Sequence, residues 1–223
     1  MAQHEAADIG GRNAAHRAER GVKVSELARA IGVSPSLISQ IERGQSRPSV
    51  ATLYAIAQAL GVPMDAFRDG HAAQPSRDAA APEPRGAALR LVASTGRRGD
   101  GRLVVRRAAR DTIDIDGGVR WERLTPTQLD DLEFMELVYA PGAESNAALY
   151  RHPGMEMVLV LQGRLTIFVG FESHELDEGD SICFPSTFPH RYVNPTEETT
   201  RAVTVIVPDG ATATAWATNQ RRP

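Results

Sequence analysis

Five side chains between positions 34 and 43, namely Ser34, Ser36, Ser39, Gln40 and Arg43, are small, hydrogen-bonding or cationic. Lined up on the outer face of one short helix, they would offer hydroxyls, an amide and a guanidinium with no bulky apolar group among them. A helix laid in the major groove of a DNA duplex needs such a face. An amide near its middle can bond an adenine edge through two hydrogen bonds, and a guanidinium near its end can meet a phosphate. On this reading Gln40 discriminates between sequences, together with Ser36 and Ser39, and Arg43 holds the backbone.

The elements that must position these groups are legible on either side of them. Leu27, Ala28 and Ile31 recur at spacings of one, three and four, the apolar face of a short helix. Gly32 ends it, as a residue tolerant of positive φ should. Ser34 followed by Pro35 reads as a new start, a side-chain cap and then a proline in the first turn. Leu37, Ile38 and Ile41 face inward from the second helix, which stops at Gly44. Ala28 stands where two closely crossing helices need a small side chain. Two short helices joined by a Gly-Val-Ser turn make a helix-turn-helix.

The run SELARAIGVSPSLISQIERG, with its extension RGQSRPSVATLYAIAQALGV, resembles the phage-repressor-like helix-turn-helix over roughly residues 9–68. The resemblance implies a domain that reads half of a palindromic operator in double-stranded DNA. Residues 9–20 take the place of that family's first helix, but Asn13 and His16 stand where it usually has apolar residues. Ala14, Ala15 and Ala18 favour helix and bury little area, so a weakly docked helix is expected. Lys23 replaces the usual Thr or Ser cap, and Ser25 is expected to cap a shorter second helix. Ser49 caps the next helix, whose apolar face is Leu53, Ile56, Ala57 and Leu60. Met64 and Phe67 close the small core.

From Asp69 to Ala88 the texture changes to small residues and prolines without periodicity, a linker that would let two domains orient independently. Beyond about Leu89 the period becomes two. Runs at 103–105, 119–124, 132–139, 155–161, 165–169, 181–184 and 202–207 are rich in Val, Ile, Leu, Phe and Met and are separated by turn residues. Many short strands at this spacing predict an all-β sandwich or barrel over 89–210. Met157 to Leu161 is apolar on both faces, so its outer face is expected to be covered by another strand layer or another subunit.

Two blocks in this region, PGAESNAALYRHPGMEMVLVLQG (141–163) and EGDSICFPSTFPHRYVN (178–194), resemble the two motifs of the cupin family, a small double-sheet jelly roll. The fold class implied is two domains, an all-α helix-turn-helix bundle followed by an all-β jelly-roll barrel. In metal-binding cupins two histidines and a glutamate of the first motif join one histidine of the second around an ion. His152, Glu156 and His190 match three of those places. The fourth is Tyr150, a phenol where an imidazole is usual. Two imidazoles and a carboxylate are enough protein ligands for zinc, iron or manganese with open positions. A phenol of pKa ~10 is a poor ligand beside them, and would instead donate a hydrogen bond to a ligand's carboxylate. Two readings stay open, a divalent metal site and a metal-free polar site. His190, Tyr192 and Asn194 alternate and share one strand face, so the expected ligand pocket comprises Tyr150, His152, Glu156, His190, Tyr192 and Asn194. Tyr192 serves equally as core packing. Cys183 is read as buried filler rather than a nucleophile, Trp121 as core or interface, and the arginines at 97, 98, 102, 106 and 107 as a solvated strand edge.

The chain as a whole limits these readings. It has 223 residues, 42% hydrophobic and 24% charged, the composition of a soluble globular protein. No apolar run is long enough to span a membrane, and the N-terminus has no secretory pattern. Its single cysteine fits a reducing, cytoplasmic setting. Net charge is −3, unevenly spread: residues 111–223 carry 8 basic and 18 acidic residues, residues 1–70 carry 8 and 7. The C-terminal half will not itself favour DNA, and non-specific DNA affinity should be modest. Helix-turn-helix, linker, then cupin resembles a family of bacterial transcription regulators. The expectation is therefore a non-enzymatic, homodimeric DNA-binding regulator whose cupin domain dimerises and senses a small-molecule effector. The alternatives are a metal-dependent cupin enzyme with a DNA-binding appendage, and an antitoxin or phage-type repressor whose barrel is blind to ligands.

Overall fold

The computed structural model describes residues 9–67, 103–129 and 132–207. The first stretch holds α1 (Ile9–Glu19), α2 (Val24–Ile31), α3 (Pro35–Glu42), α4 (Val50–Leu60) and a 3-10 turn over Met64–Phe67. Leu27, Ala28, Ile38, Ile41, Leu53, Ile56, Leu60 and Phe67 are buried together, each large apolar side chain contributing roughly 1.5–3 kcal/mol. α2 ends at Gly32 with φ 73°. α3 is capped by Ser34, whose Oγ accepts from the Leu37 N–H at 3.2 Å, with Pro35 in its first turn. Ser49 caps α4 in the same way through Thr52.

Two expectations for this domain need correcting. α2 begins at Val24, so Ser25 lies inside its first turn rather than before it. The Glu26 carboxylate turns back to accept the Lys23 N–H at 2.9 Å, the half of a capping box that needs no hydroxyl at position 23. And α1 is firmly docked. Gly10 lets the two backbones meet: a Cβ there would come 2.2 Å from the Ile41 carbonyl oxygen. Arg17 forms a two-pronged pair with Glu42 at 2.6 and 2.9 Å and also donates to the Val22 carbonyl. His16 sets its ring edge-on to Phe67. Asn13 is fully buried, with neither amide atom hydrogen-bonded. Close approach and charge pairing replace the apolar area that the alanines do not supply.

The β region forms a two-sheet barrel. Its strands are β1 (Thr112–Ile115), β2 (Val119–Arg123), β3 (Glu133–Tyr139), β4 (Met155–Gln162), β5 (Leu165–Val169), β6 (Glu172–Leu176), β7 (Ser181–Pro185), β8 (His190–Val193) and β9 (Thr200–Val207). A six-stranded sheet in the order β1-β2-β3-β9-β4-β7 packs on a three-stranded sheet in the order β6-β5-β8. Inward rows such as Leu137, Ala202 and Val160 alternate with outward ones. The predicted strand at 103–105 is absent: Leu103 and Val104 are exposed and unpaired. β1 and β6 were not expected, and β6, ESHEL, buries only Leu176, because an edge strand of the smaller sheet needs no apolar face.

On the outer face of the large sheet Met157, Leu159 and Leu161 are 37%, 41% and 39% exposed. Register places Val205 and Phe134 beside Met157, and Val203 beside Leu159. Within the single chain this row is therefore open rather than covered. Cys183 lies opposite Met157 on the same face and is exposed, not buried. Arg106 and Arg107 are exposed too, at a 3-10 turn rather than a strand edge. The other three arginines of that run, and the linker at 69–88, lie outside the described residues. No helix among the described residues is long and apolar enough to cross a membrane.

The two domains touch, contrary to the independent orientation expected of them. The Val50 N–H at the start of α4 donates to the Ser145 carbonyl at 3.3 Å, and the Asp116 N–H donates to the Pro48 carbonyl at 3.0 Å. α4 is apolar nearly all round, VATLYAIAQAL. Its second face lies against the barrel mouth, where Tyr54 packs on Trp121, Tyr150 and His152.

Candidate functional site

The barrel interior gathers His152, Glu156 and His190, from the loop before β4, from β4 and from β8. All three are buried, and one ligating atom from each lies within 4.8 Å of the others. Glu156 points inward because the β4 alternation puts it on the face of Val158 and Val160. His190 is brought over it by the bridge to Tyr150, in which each backbone N–H donates to the other's carbonyl at 3.0 and 2.8 Å.

Hydrogen bonding sets the tautomers. His190 Nδ1 stands 2.8 Å from the Phe188 carbonyl and His152 Nδ1 3.2 Å from the Pro153 carbonyl. A carbonyl only accepts, so each Nδ1 carries a proton and each ring turns its Nε2 toward Glu156. Those two nitrogens lie 3.3 and 3.6 Å from Glu156 Oε2. Three electron-rich atoms converging in a buried space repel one another unless a cation sits among them. A proton on His152 Nε2 would serve, and so would a divalent metal ion. Glu156 Oε2 and His190 Nε2 have no hydrogen-bond partner. Thr204 donates to the other carboxylate oxygen at 3.3 Å.

The electrostatics follow. Burial pushes the Glu156 carboxyl up, but the contact with the His152 ring, and then the nearby His190 ring, outweigh it and hold the group below its ordinary range. Burial lowers His190 despite the Glu156 charge, so its ring stays neutral and keeps its lone pair. Tyr150 is held well above the phenol range, first by burial and then by the charges of Tyr139 and Glu156. It therefore remains a protonated hydrogen-bond donor.

Five of the six expected pocket residues come together. Tyr150 lies 4.6 Å from His190 ring to ring, and the buried Tyr192 lies 6.0 Å from it on the inward face. Asn194 does not join them. Its amide nitrogen donates to the carbonyls of Tyr139, Ala140 and Glu198, and its oxygen accepts from Thr196, so its polar atoms tie a turn to β3. The residue that sequence reasoning missed is Tyr54. Its ring stacks on His152 at 4.2 Å and 6°, so one imidazole belongs both to the buried cluster and to the domain contact. The signal for it was α4 itself, which lacks a polar face. A cavity of about 290 Å³ opens beside this stack, between α4 and the barrel mouth.

In the helical domain Ser34, Ser36, Gln40 and Arg43 are exposed and Ser39 is partly so. Ser34 and Ser36 hydroxyls lie 2.9 Å apart, and Arg43 donates to the Gln45 side chain at 3.0 Å. α3 therefore presents a hydrogen-bonding face to solvent, while Ile38 and Ile41 anchor it from behind.

Comparison with known proteins agrees with both halves. Residues 14–67 match the helix-turn-helix family and residues 135–206 the cupin domain family. SutR, an HTH-type transcriptional regulator of Escherichia coli strain K12, is 29% identical over 184 residues, 82% of this chain and 85% of that protein. The uncharacterized HTH-type transcriptional regulator y4dJ of Sinorhizobium fredii is 43% identical over 54 residues, 24% of this chain and 70% of that protein. The crystal structure of an HTH_3 family transcriptional regulator from Vibrio cholerae shares the fold, with a TM-score of 0.58 at 24% identity over 90% of this chain and 95% of that one. A helix-turn-helix with a solvent-facing α3, followed by a cupin barrel, places this chain among the bacterial transcription regulators that join a phage-repressor-like helix-turn-helix to a C-terminal cupin domain.

Proposed function

We propose that this regulator binds a palindromic operator as a homodimer and that its barrel senses a small-molecule effector without transforming it. α3 enters the major groove with Ser36, Ser39 and Gln40 toward base edges. Ser34 sits at the helix start, and Arg43 at its end meets a phosphate. One such domain covers only a half-site, so two must be held at successive grooves. The open row of Met157, Leu159 and Leu161, with Val203, Val205 and Phe134 beside it, supplies a self-complementary apolar surface for a second copy.

The observation that carries the sensing role is the buried cluster itself. A barrel that only clamps two chains together has no use for an inward His152, Glu156 and His190 whose Oε2 and Nε2 atoms lack partners. The donor set and its tautomers fit a divalent ion held by these three residues. Such an ion would supply a fixed positive charge, suited to orienting an anionic or polar ligand. Tyr150 and Tyr192 would add hydrogen-bond donors.

The test is operator binding by the full chain over a range of salt. Gln40→Ala should relax sequence preference by ~1–3 kcal/mol while non-specific binding persists. Arg43→Ala should weaken all sequences alike and flatten the salt dependence. Undiminished selectivity in Gln40→Ala would remove α3 from the groove.

A further inference from the structure

The cavity of about 290 Å³ between α4 and the barrel mouth is walled by both domains. The helical domain contributes Ala57, Val62 and Met64, and the barrel contributes Ile206 and Pro153, so most of the surface is apolar. Two opposite charges interrupt it. Glu133 on β3 supplies a carboxylate, and Arg151, next to His152, supplies a guanidinium. Arg151 is exposed and makes no ion pair among the described residues. An apolar chamber with one group of each sign suits a small molecule that is itself apolar and zwitterionic. At the ~30 Å³ that a water molecule takes in the liquid, the space equals that of roughly ten waters, room enough for a molecule such as leucine or methionine.

We propose that this chamber is an effector site for an α-amino acid with an apolar side chain, its carboxylate on Arg151, its ammonium on Glu133 and its side chain against Val62, Met64 and Ile206. The proposal rests on the sensing role argued above and moves the effector from the barrel interior to the domain boundary. Because neither domain holds all the walls, the ligand binds well only while α4 stays on the barrel. Occupancy then favours one placement of α3 relative to the dimer, and operator affinity changes by the same factor by which the operator changes ligand affinity. Tyr54 is the joint. It lines the chamber, stacks on His152 and meets the Trp121 ring at 5.8 Å. The path from ligand to DNA-reading helix therefore runs through α4 and needs no push along the linker.

Trp121 gives the readout. The chain has two tryptophans, so a Trp216→Phe background leaves Trp121 as the only indole. The full-length protein is titrated with L-leucine, L-methionine and L-phenylalanine, by calorimetry and by Trp121 emission. At least one should bind saturably and change the emission. Arg151→Ala and Glu133→Gln should each weaken binding at least tenfold, as should the leucine analogues 4-methylpentanoate, which lacks the ammonium, and 3-methylbutylamine, which lacks the carboxylate. Tyr54→Phe, which keeps the stack, should retain the emission change and Tyr54→Ala should lose it. Absence of saturable heat with all three amino acids overturns the proposal, as does equal binding of either analogue. A ligand whose binding is lost in His190→Ala but unchanged in Arg151→Ala also overturns it, while leaving the barrel's sensing role intact.

Discussion

Tyr54→Ala tests whether the helix-turn-helix is held on the barrel by the contacts described. The ring meets His152 at 4.2 Å, Trp121 at 5.8 Å and Tyr150 at 6.1 Å. Aromatic pairs contribute about 0.5–1.5 kcal/mol each beyond the area they bury, so the docked arrangement should lose about 2–4 kcal/mol. Two backbone hydrogen bonds remain across the boundary, from Val50 and from Asp116, at about 0.5–1.5 kcal/mol each. The loss is as large as what remains, and the undocked fraction should rise by about 30- to 1,000-fold, since 1.4 kcal/mol is tenfold. The helical core should survive, because Leu53, Ile56 and Leu60 face away from the barrel into their own domain. The assay is Trp121 emission in the Trp216→Phe background, with limited proteolysis between the domains. Trp121 is 4% exposed, so its emission should shift to the red and cleavage should accelerate. Tyr54→Phe should behave as the parent does. An unshifted emission with unchanged proteolysis in Tyr54→Ala would refute the claim that these rings hold the domains together.

Asn13→Leu should stabilise the helical domain by about 1–3 kcal/mol, because it replaces a fully buried amide without hydrogen bonds by an apolar group of similar size; thermal unfolding reads this out, and a lowered midpoint would show that Asn13 has a partner in solution. Leu159→Glu should leave the barrel folded and convert a dimer to a monomer in sedimentation, since it sets a charge in the middle of the open outer row. A dimer that persists would place the subunit contact elsewhere. Zinc at a hundredfold excess over its dissociation constant should stabilise the parent by about 2.7 kcal/mol and leave His190→Ala unmoved; an equal shift in both would take the ion away from the His152, Glu156 and His190 cluster.

The amino-acid sequence by itself determined what short-range physics controls. Ser34-Pro35, Ser49 and Gly32 set helix ends through local hydrogen bonds and backbone freedom, and the caps formed where those residues stand. The period-two runs led to the barrel, and the resemblance of the two blocks to the cupin motifs implied His152, Glu156 and His190 as neighbours, which the fold brings together. Elements that depend on less local patterning were not legible. β6 carries almost no apolar signal, and 103–105 carries one without a strand to pair with. Asn194 alternates with His190 and Tyr192, yet its amide is taken up by a turn, because alternation names a face and not the partners that lie on it. Gly10 and Arg17 dock α1 through contacts to Ile41 and Glu42, residues whose nearness only the folded helices create. The same holds most strongly for Tyr54. The helix around it, VATLYAIAQAL, shows a second apolar face but not what that face meets. Only when the helical domain comes to rest on the barrel does its ring meet His152, and that meeting, about a hundred residues apart along the chain, joins the DNA-reading domain to the buried cluster.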